Sequence, residues 1–392
     1  MNNYIPYGRH FINESDIQSV NDVLKSNFIT QGPKVSDFEK SICDKLGSKF
    51  SIATNSATSA LHIACLALGV SKGDTVWTSP ITFVASSNCA LYCGANIDFV
   101  DISLENGLMC IESLKKKLKH SKIIGKLPKV IIPVHLSGTS CDMKEINKLS
   151  KIYKFKIIED ASHALGGKFD GSYVGSCVYS DISIFSFHPV KIITTGEGGI
   201  ATTNNKELFE KMKILRSHGI EKDPKKFHDL NSPKPWMYEQ RMLGFNYRMN
   251  DIEAALGLSQ LKRLDKIIEQ RNELRNFYVK NLENLPLNVL KIEPNTLSSV
   301  HLLVIILNEG ISEYHQEIFS YLLKEKIGVQ LHYIPVHTQP FYKNMGFKIG
   351  DFPESEKYSN RAITLPLYPE LKKNQISFII QKLSTKISNL GF

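Results

Sequence analysis

Ser180-Asp181-Ile182-Ser183-Ile184-Phe185-Ser186-Phe187-His188-Pro189-Val190-Lys191-Ile192-Ile193-Thr194-Thr195-Gly196-Glu197-Gly198-Gly199 is the stretch from which the fold is read. The run from Ser180 to Phe187 is rich in β-forming side chains and predicts a strand. Pro189 stops it, because the ring removes a backbone donor and fixes φ. Lys191 therefore lies on a loop at a strand end, with Ser186 before it and a glycine-rich turn after it. A lysine held there suits Schiff-base chemistry, and a small hydroxyl nearby suits a phosphate. Most lysines are solvated surface. The reading of this one depends on what the rest of the chain brings to it.

Outward from this stretch, short apolar strands alternate with helices. Strands are expected at 50–54, 75–78, 97–100, 130–134, 156–158, 181–187 and 199–203, and helices at 56–68, 83–92, 143–153 and 206–216. That alternation defines βαβ units and an α/β fold with a largely parallel sheet buried on both faces. Ahead of it, helices are expected at 14–26 and 35–46, separated by a loop that Gly32 and Pro33 close. The periodicity breaks over 219–243, where Pro224, Pro233 and Pro235 lie, and a long functional loop is expected. A long helix over 250–282 follows, with apolar positions including Ile252, Leu256, Leu261, Leu264 and Ile268. Beyond it, strands at 300–307 and 329–332 and helices at 314–325 and 374–388 predict a smaller α+β unit. The expected division is a large domain over 1–249, then a connecting helix and small C-terminal domain over 250–392.

Composition narrows the function classes. The chain has 392 residues, enough for more than one domain, and 42% of them are hydrophobic, as in ordinary globular proteins. No apolar run reaches the roughly 18 residues a membrane span needs. The N-terminal residues show no secretion signal, so no membrane association and a cytoplasmic location are expected. The seven cysteines form no C-x-x-C pair, which fits free thiols in a reducing compartment. The net charge of +9 invites a nucleic-acid reading. Its densest cluster, Lys115 to Lys129, has no interleaved aromatics and follows a helical pattern at Ile111, Leu114 and Leu118. A solvated helix face explains it better, and no nucleic-acid partner is expected. His332 and His337 do not share a strand face and have no adjacent Cys or carboxylate, so no metal site is expected.

Three further features belong with Lys191. Asn55-Ser56-Ala57-Thr58 stands at a strand-to-helix junction, where free N–H groups and small hydroxyls make either an ordinary cap or an anion site. Asp160 closes a strand, and ligands of parallel sheets bind beyond the carboxyl ends of strands. A carboxylate there can pair with a protonated ring nitrogen, and His163 lies three residues on. Together these are the parts that hold pyridoxal phosphate.

The chain resembles the sugar aminotransferases of the DegT/DnrJ/EryC1 family, which are fold type I pyridoxal-phosphate enzymes. The resemblance rests on N-S-A-T-S-A-L at 55–61, P-I-T-F-V-A at 80–85, E-D-A-S-H-A-L-G at 159–166 and S-F-H-P-V-K-I-I-T-T-G-E-G-G at 186–199. It continues in L-G-F-N-Y-R-M-N-D at 243–251 and A-L-G-L-S-Q-L at 255–261. It implies that pyridoxal phosphate is the cofactor, with Lys191 as its Schiff-base and proton-shuttling residue. It also implies Asp160 at the pyridine nitrogen, His163 beside the ring, Phe83 stacked on it, and Ala57, Thr58 and Ser186 at the phosphate. Asn246 would complete the phosphate site of a neighbouring subunit, which makes the active form a homodimer with shared active sites. One branch of the family carries histidine in place of the lysine and dehydrates its sugar; Lys191 implies transamination. Y-I-P-Y-G-R at 4–9, R-S-H-G-I at 216–220, P-W-M-Y-E-Q at 235–240 and L-H-Y-I-P-V-H at 331–337 are similar to the branch that serves pseudaminic acid synthesis. The implied substrates are a UDP-linked keto sugar and L-glutamate, with dTDP- or GDP-linked sugars as the alternative. Residues implied at the sugar nucleotide are Tyr7, Asn27, Phe28, Ile29, Thr30, His332, Tyr333, Ile334 and Pro335.

Overall fold

The computed structural model describes residues 4–228 and 234–392. Pro233 of the expected loop and the first three residues of the N-terminal reading lie outside the described residues.

A seven-stranded sheet organises the fold. Its strands are β1 (Phe50–Thr54), β2 (Thr75–Thr78), β3 (Asn96–Phe99), β4 (Val130–Ile132), β5 (Lys156–Asp160), β6 (Ile182–Ser186) and β7 (Gly199–Thr203), in the spatial order β1-β7-β6-β5-β4-β2-β3. All neighbours are parallel except β7, which runs antiparallel to both β6 and β1. The turn after Lys191 causes that reversal. With no helix between β6 and β7, the chain folds straight back, whereas a parallel neighbour needs a longer crossover.

Both faces of the sheet are buried, and the strand period shows how. Ile158, Ile182 and Ile184 point into one core, with Ile63 and Ala64 of α3 (Ala57–Ala67), the helix that follows α1 (Glu14–Leu24) and α2 (Pro33–Leu46). Phe185, Phe187 and Ile200 point into another, with Phe38 and Ile42 of a helix at Pro33–Leu46. Ile131 and Ile157 fill a third, on Leu114, Leu118 and Ile146. Such strands read as continuous apolar runs rather than alternating ones. The α3 helix is apolar all round because it is buried all round.

The expected single helix over 250–282 is two helices, Asp251–Leu261 and Leu264–Leu282. The break lies at Lys262–Arg263, where the Arg263 amide bonds back to Gln260 and not to a residue four positions earlier. Buried Asp16 holds the corner from the first helix of the chain, accepting from Gln260 Nε2 at 2.9 Å and from the Arg263 guanidinium at 2.5 Å. The second helix, Leu264–Leu282, connects two cores. Leu264, Ile267 and Ile268 pack with Phe185, while Leu274, Tyr278 and Leu282 belong to a separate C-terminal core. A three-stranded antiparallel sheet lies in that region: Leu287–Val289, Leu303–Leu307 and Ala362–Leu365. Only its middle strand was among those expected. Residues 329–332 form one bridge, Gln330 to Thr364, and otherwise stay irregular. Among the described residues, no helix is long and apolar enough to cross a membrane.

Candidate active site

Three chain reversals meet at the carboxyl ends of β5 and β6. Asp160 is the last residue of β5, and the Ala161 amide after it makes the last bond to β6, at the Ile184 carbonyl. Lys191 sits on the loop after β6, its amide bonded to the His188 carbonyl at 2.9 Å. The α3 helix begins at the same edge, with the Ser56 hydroxyl accepting from the Ser59 amide at 3.1 Å. The N–H groups at the start of α3 have no intrahelical partner, and the helix dipole adds positive potential there. A Cβ on Gly199 would stand 2.4 Å from the Ala57 nitrogen. The turn after Lys191 therefore presses directly on the helix start, which only glycine permits.

These elements enclose a cavity of about 450 Å³. Tyr7, Ala57, Thr58, Phe83, Asp160, His163, Ser186, Lys191, His332 and Tyr333 all line it. Asn27 to Thr30, Ile334, Pro335 and Asn246 do not. Asn27, Phe28, Ile29 and Thr30 are exposed on a loop that Asp251 ties down: its carboxylate accepts from the Gly32 and Lys34 amides, and its amide donates to the Ile29 carbonyl. Asn246 is exposed just beyond the 219–243 stretch, bridged to Ser217. Ile334 points outward, and Pro335 is buried in the loop that the Pro80 carbonyl anchors through the Val336 amide.

Both oxygens of Asp160 are already oriented. Oδ2 accepts from Ser86 Oγ at 2.5 Å, and Ser86 is in turn 2.7 Å from Thr82 Oγ1. Oδ1 accepts from the Ser162 amide and hydroxyl, at 3.1 and 2.6 Å. Behind it, buried Glu159 accepts from His135 Nε2 at 2.7 Å, Ser183 at 2.7 Å and Ser180. Burial pushes the Glu159 carboxyl up, but these bonds outweigh it and hold its pKa below the ordinary range. The Cys141 amide points at His135 Nδ1 at 3.2 Å, so the ring is held from both sides, with its Nε2 on Glu159.

The cations are weakened by burial. Desolvation lowers the Lys191 pKa to about 8, against the opposing pull of Asp160. Burial, then the positive charge of Lys191, lowers His332 to about 4; its Nδ1 faces Thr364 Oγ1 at 2.9 Å. Burial and the charges of Lys191 and His332 hold His163 well below the usual imidazole range. His163 Nε2 lies 3.2 Å from the Tyr333 hydroxyl, and its Nδ1 is buried without a partner among the described residues. Phe83 leaves 61% of its surface open beside Tyr333, a flat apolar face turned to the cavity.

The residues fit pyridoxal phosphate. The α3 start and the Ser186 hydroxyl suit a phosphate, Asp160 suits a protonated pyridine nitrogen, and the exposed Phe83 face and orphaned His163 nitrogen suit a polar aromatic ring. Ser86, Thr82, Ser162 and His301 also lie at the site and were not among the residues expected there. Thr82 and Ser86 stand four apart, a spacing that puts them on one face of a turn. Nothing in the sequence marks His301.

The architecture is that of a fold type I pyridoxal-phosphate aminotransferase. The chain belongs to the DegT/DnrJ/EryC1/StrS aminotransferase family, whose model matches residues 10–384. It is 40% identical over 376 residues to the UDP-4-amino-4,6-dideoxy-N-acetyl-beta-L-altrosamine transaminase of Campylobacter jejuni, covering 96% of this chain and 95% of that one. Among solved structures it is similar to Helicobacter pylori PseC, an aminotransferase involved in the biosynthesis of pseudoaminic acid. That match has a TM-score of 0.89 at 30% identity, over 98% of this chain and 100% of that one. The sugar aminotransferase Spr1654 of Streptococcus pneumoniae, described as putative and solved in its PLP form, matches with a TM-score of 0.88 at 29% identity, over 98% and 99% of the two chains.

Proposed function

We propose that this chain transfers the amino group of L-glutamate to a UDP-linked 4-keto-6-deoxy-N-acetylhexosamine. The product is UDP-4-amino-4,6-dideoxy-N-acetyl-β-L-altrosamine, for pseudaminic acid synthesis. The carrying observation is the meeting of Lys191, Asp160 and the start of α3 in one cavity. The likeness to the Campylobacter enzyme over nearly the whole chain supports the choice of sugar and of UDP.

Pyridoxal phosphate, when bound, supplies an electron sink conjugated to the substrate nitrogen. The chain supplies the rest. Ala57 and Thr58 amides and the Ser186 hydroxyl bind the phosphate, and Asp160 holds a proton at the pyridine nitrogen. The Lys191 amine, partly neutral near pH 8, takes the proton from Cα of glutamate and later returns one to C4 of the sugar. A lysine at its ordinary pKa would be almost wholly protonated and unable to do this. His163, kept uncharged, lies beside the ring without adding a second cation to Lys191. Tyr7, His332 and Tyr333 face the sugar nucleotide.

The active form proposed is a homodimer in the cytoplasm. Asn246 and the 27–30 loop are exposed and away from their own cavity, a placement that suits service to the partner's. Trp236, Tyr238 and Leu243, in the stretch just before Asn246, are 74%, 60% and 81% exposed, more apolar surface than a free loop needs. Seven free cysteines fit a reducing compartment.

The test is to incubate the protein with UDP-, dTDP- and GDP-linked 4-keto sugars and follow glutamate consumption. Turnover is expected with the UDP sugar and should vanish, with the cofactor's visible absorption band, in Lys191→Ala. Full activity of that variant would sink the assignment; turnover only with another nucleotide would move the substrate and leave the chemistry.

A further inference from the structure

His163 is contacted from behind by a residue that no part of the proposed mechanism uses. His301 is 4% exposed, lines the same cavity, and packs its ring at a tilt against His163, with centroids 4.4 Å apart and planes at 49°. It belongs to the segment that leads into the C-terminal sheet, not to the large sheet that carries His163.

That segment is held in a conformation its sequence does not favour. Val300 has φ 48°, in the left-handed region where a β-branched residue is a genuine outlier. Such backbone persists only where its surroundings over-determine it. Here they do. The Arg271 guanidinium, 1% exposed and with no carboxylate partner among the described residues, donates to the carbonyls of Val300, His301 and Leu367 at 3.3, 3.4 and 3.3 Å. The Val300 amide donates to Ser298 Oγ, and the His301 amide to the Ser137 carbonyl. The Ser299 hydroxyl donates to the main-chain carbonyl of His163 itself at 2.8 Å. Gly138 lets these strands touch: a Cβ there would stand 2.6 Å from Ser299 Oγ and 2.9 Å from the His163 carbonyl.

We infer that His301 is a positioning residue, which fixes the His163 ring at the cavity wall and is itself fixed by the strained clasp of Val300 and Arg271. The inference rests on the proposed role of His163 beside the cofactor ring. The tilted His301 ring on one side and the Tyr333 hydroxyl at Nε2 restrict how the imidazole can turn. The groups that face the pair are Lys191 and His332 for His163, and Lys191, Arg271 and His332 for His301. All are cations or become so, which opposes a charge on either imidazole.

The experiment reads His163 directly. Ring ¹H–¹³C correlation spectra of the cofactor-free, full-length protein are recorded against pH, with His163→Gln for assignment. In wild type the His163 signal should stay sharp and untitrated through the range where free imidazoles protonate. In His301→Ala it should broaden and move its titration upward, and His301→Phe, which keeps a planar ring in that place, should restore the wild-type behaviour. In the holoenzyme, His301→Ala should lower kcat about tenfold with KM for glutamate changed by less than about twofold, the signature of lost orientation rather than lost binding. An unchanged His163 signal in His301→Ala overturns the inference. Should that variant not fold, His301→Asn is read in the same way. Absence of transaminase activity in wild type would defeat the proposed function while the spectra still decide the contact.

Discussion

Replacing Lys191 by methionine should stabilise the cofactor-free protein at neutral pH. Methionine keeps the length of the side chain and removes the charge. In the wild type, burial lowers the lysine pKa from 10.5 to about 8, and the attraction of Asp160 is already inside that net value. At about 1.4 kcal/mol per pH unit, holding the protonated amine costs the folded state about 3 kcal/mol at pH 7. The sign follows from proton counts. Between about 8 and 10.5 the unfolded lysine holds a proton that the folded one has released, so wild-type stability rises with pH across that window. Below about 8 the penalty is complete. It falls to about 2 kcal/mol at pH 9 and about 1 kcal/mol at pH 10. The variant should therefore lead by about 3 kcal/mol at pH 7 and lose most of that lead by pH 10. Urea unfolding of both proteins, at one protomer concentration so that association does not enter the comparison, measures it. A lead below about 1 kcal/mol at pH 7, or one that stays flat to pH 10, would refute the reasoning that desolvation primes this lysine.

Ser86→Ala removes a hydrogen bond to a buried carboxylate, an interaction worth about 1.5–3 kcal/mol. Pyridoxal phosphate should bind about tenfold more weakly, read from its absorption during dilution, and retained affinity would show that Ser162 alone orients Asp160. Gly199→Ala places a methyl against backbone that has nowhere to go, 2.4 Å from the Ala57 nitrogen. It should displace the start of α3, weakening the cofactor's phosphate contacts and lowering stability by about 1–3 kcal/mol; an unaltered dissociation constant for the cofactor would contradict the cradle.

The legible parts of this protein share one property: their physical cause is local. Pro189 ends β6 by its own chemistry, so Lys191 is placed on its loop without reference to any other segment. The helix at Ala57–Ala67 is marked by its cap and its uniformly apolar run. Where a contact distant in the chain decided the outcome, the sequence reading diverged. The helix over 250–282 carries an unbroken apolar pattern, and what bends it is Asp16, some 247 residues from Arg263. Residues 329–332 look like a strand, but the edge they would occupy offers a single bridge at Thr364. The strand that forms at Ala362–Leu365 pairs with Leu303–Leu307, a partner that local pattern does not name.

The same distinction runs through the site. Lys191, Asp160 and the Ala57–Thr58 turn are readable because each stands at a strand or helix end whose geometry is local. The groups that orient them are not. Ser86 is 74 residues from Asp160, and Ser299 reaches His163 over 136. These second contacts matter because two opposing demands meet at one point. A lysine that must be neutral to move a proton needs a dry setting, and a carboxylate in that setting needs its donors supplied by the protein. Ser86, with Thr82 behind it, and Ser162 satisfy Asp160, so the cavity stays apolar enough to hold Lys191 near pH 8. Cations placed closer would lower the lysine further but would draw on the same carboxylate. The neutral imidazoles of His163 and His332 occupy those places without that cost. The chemistry of the lysine is thus set less by its own loop than by residues whose only sequence signal is that they are small, polar and far away.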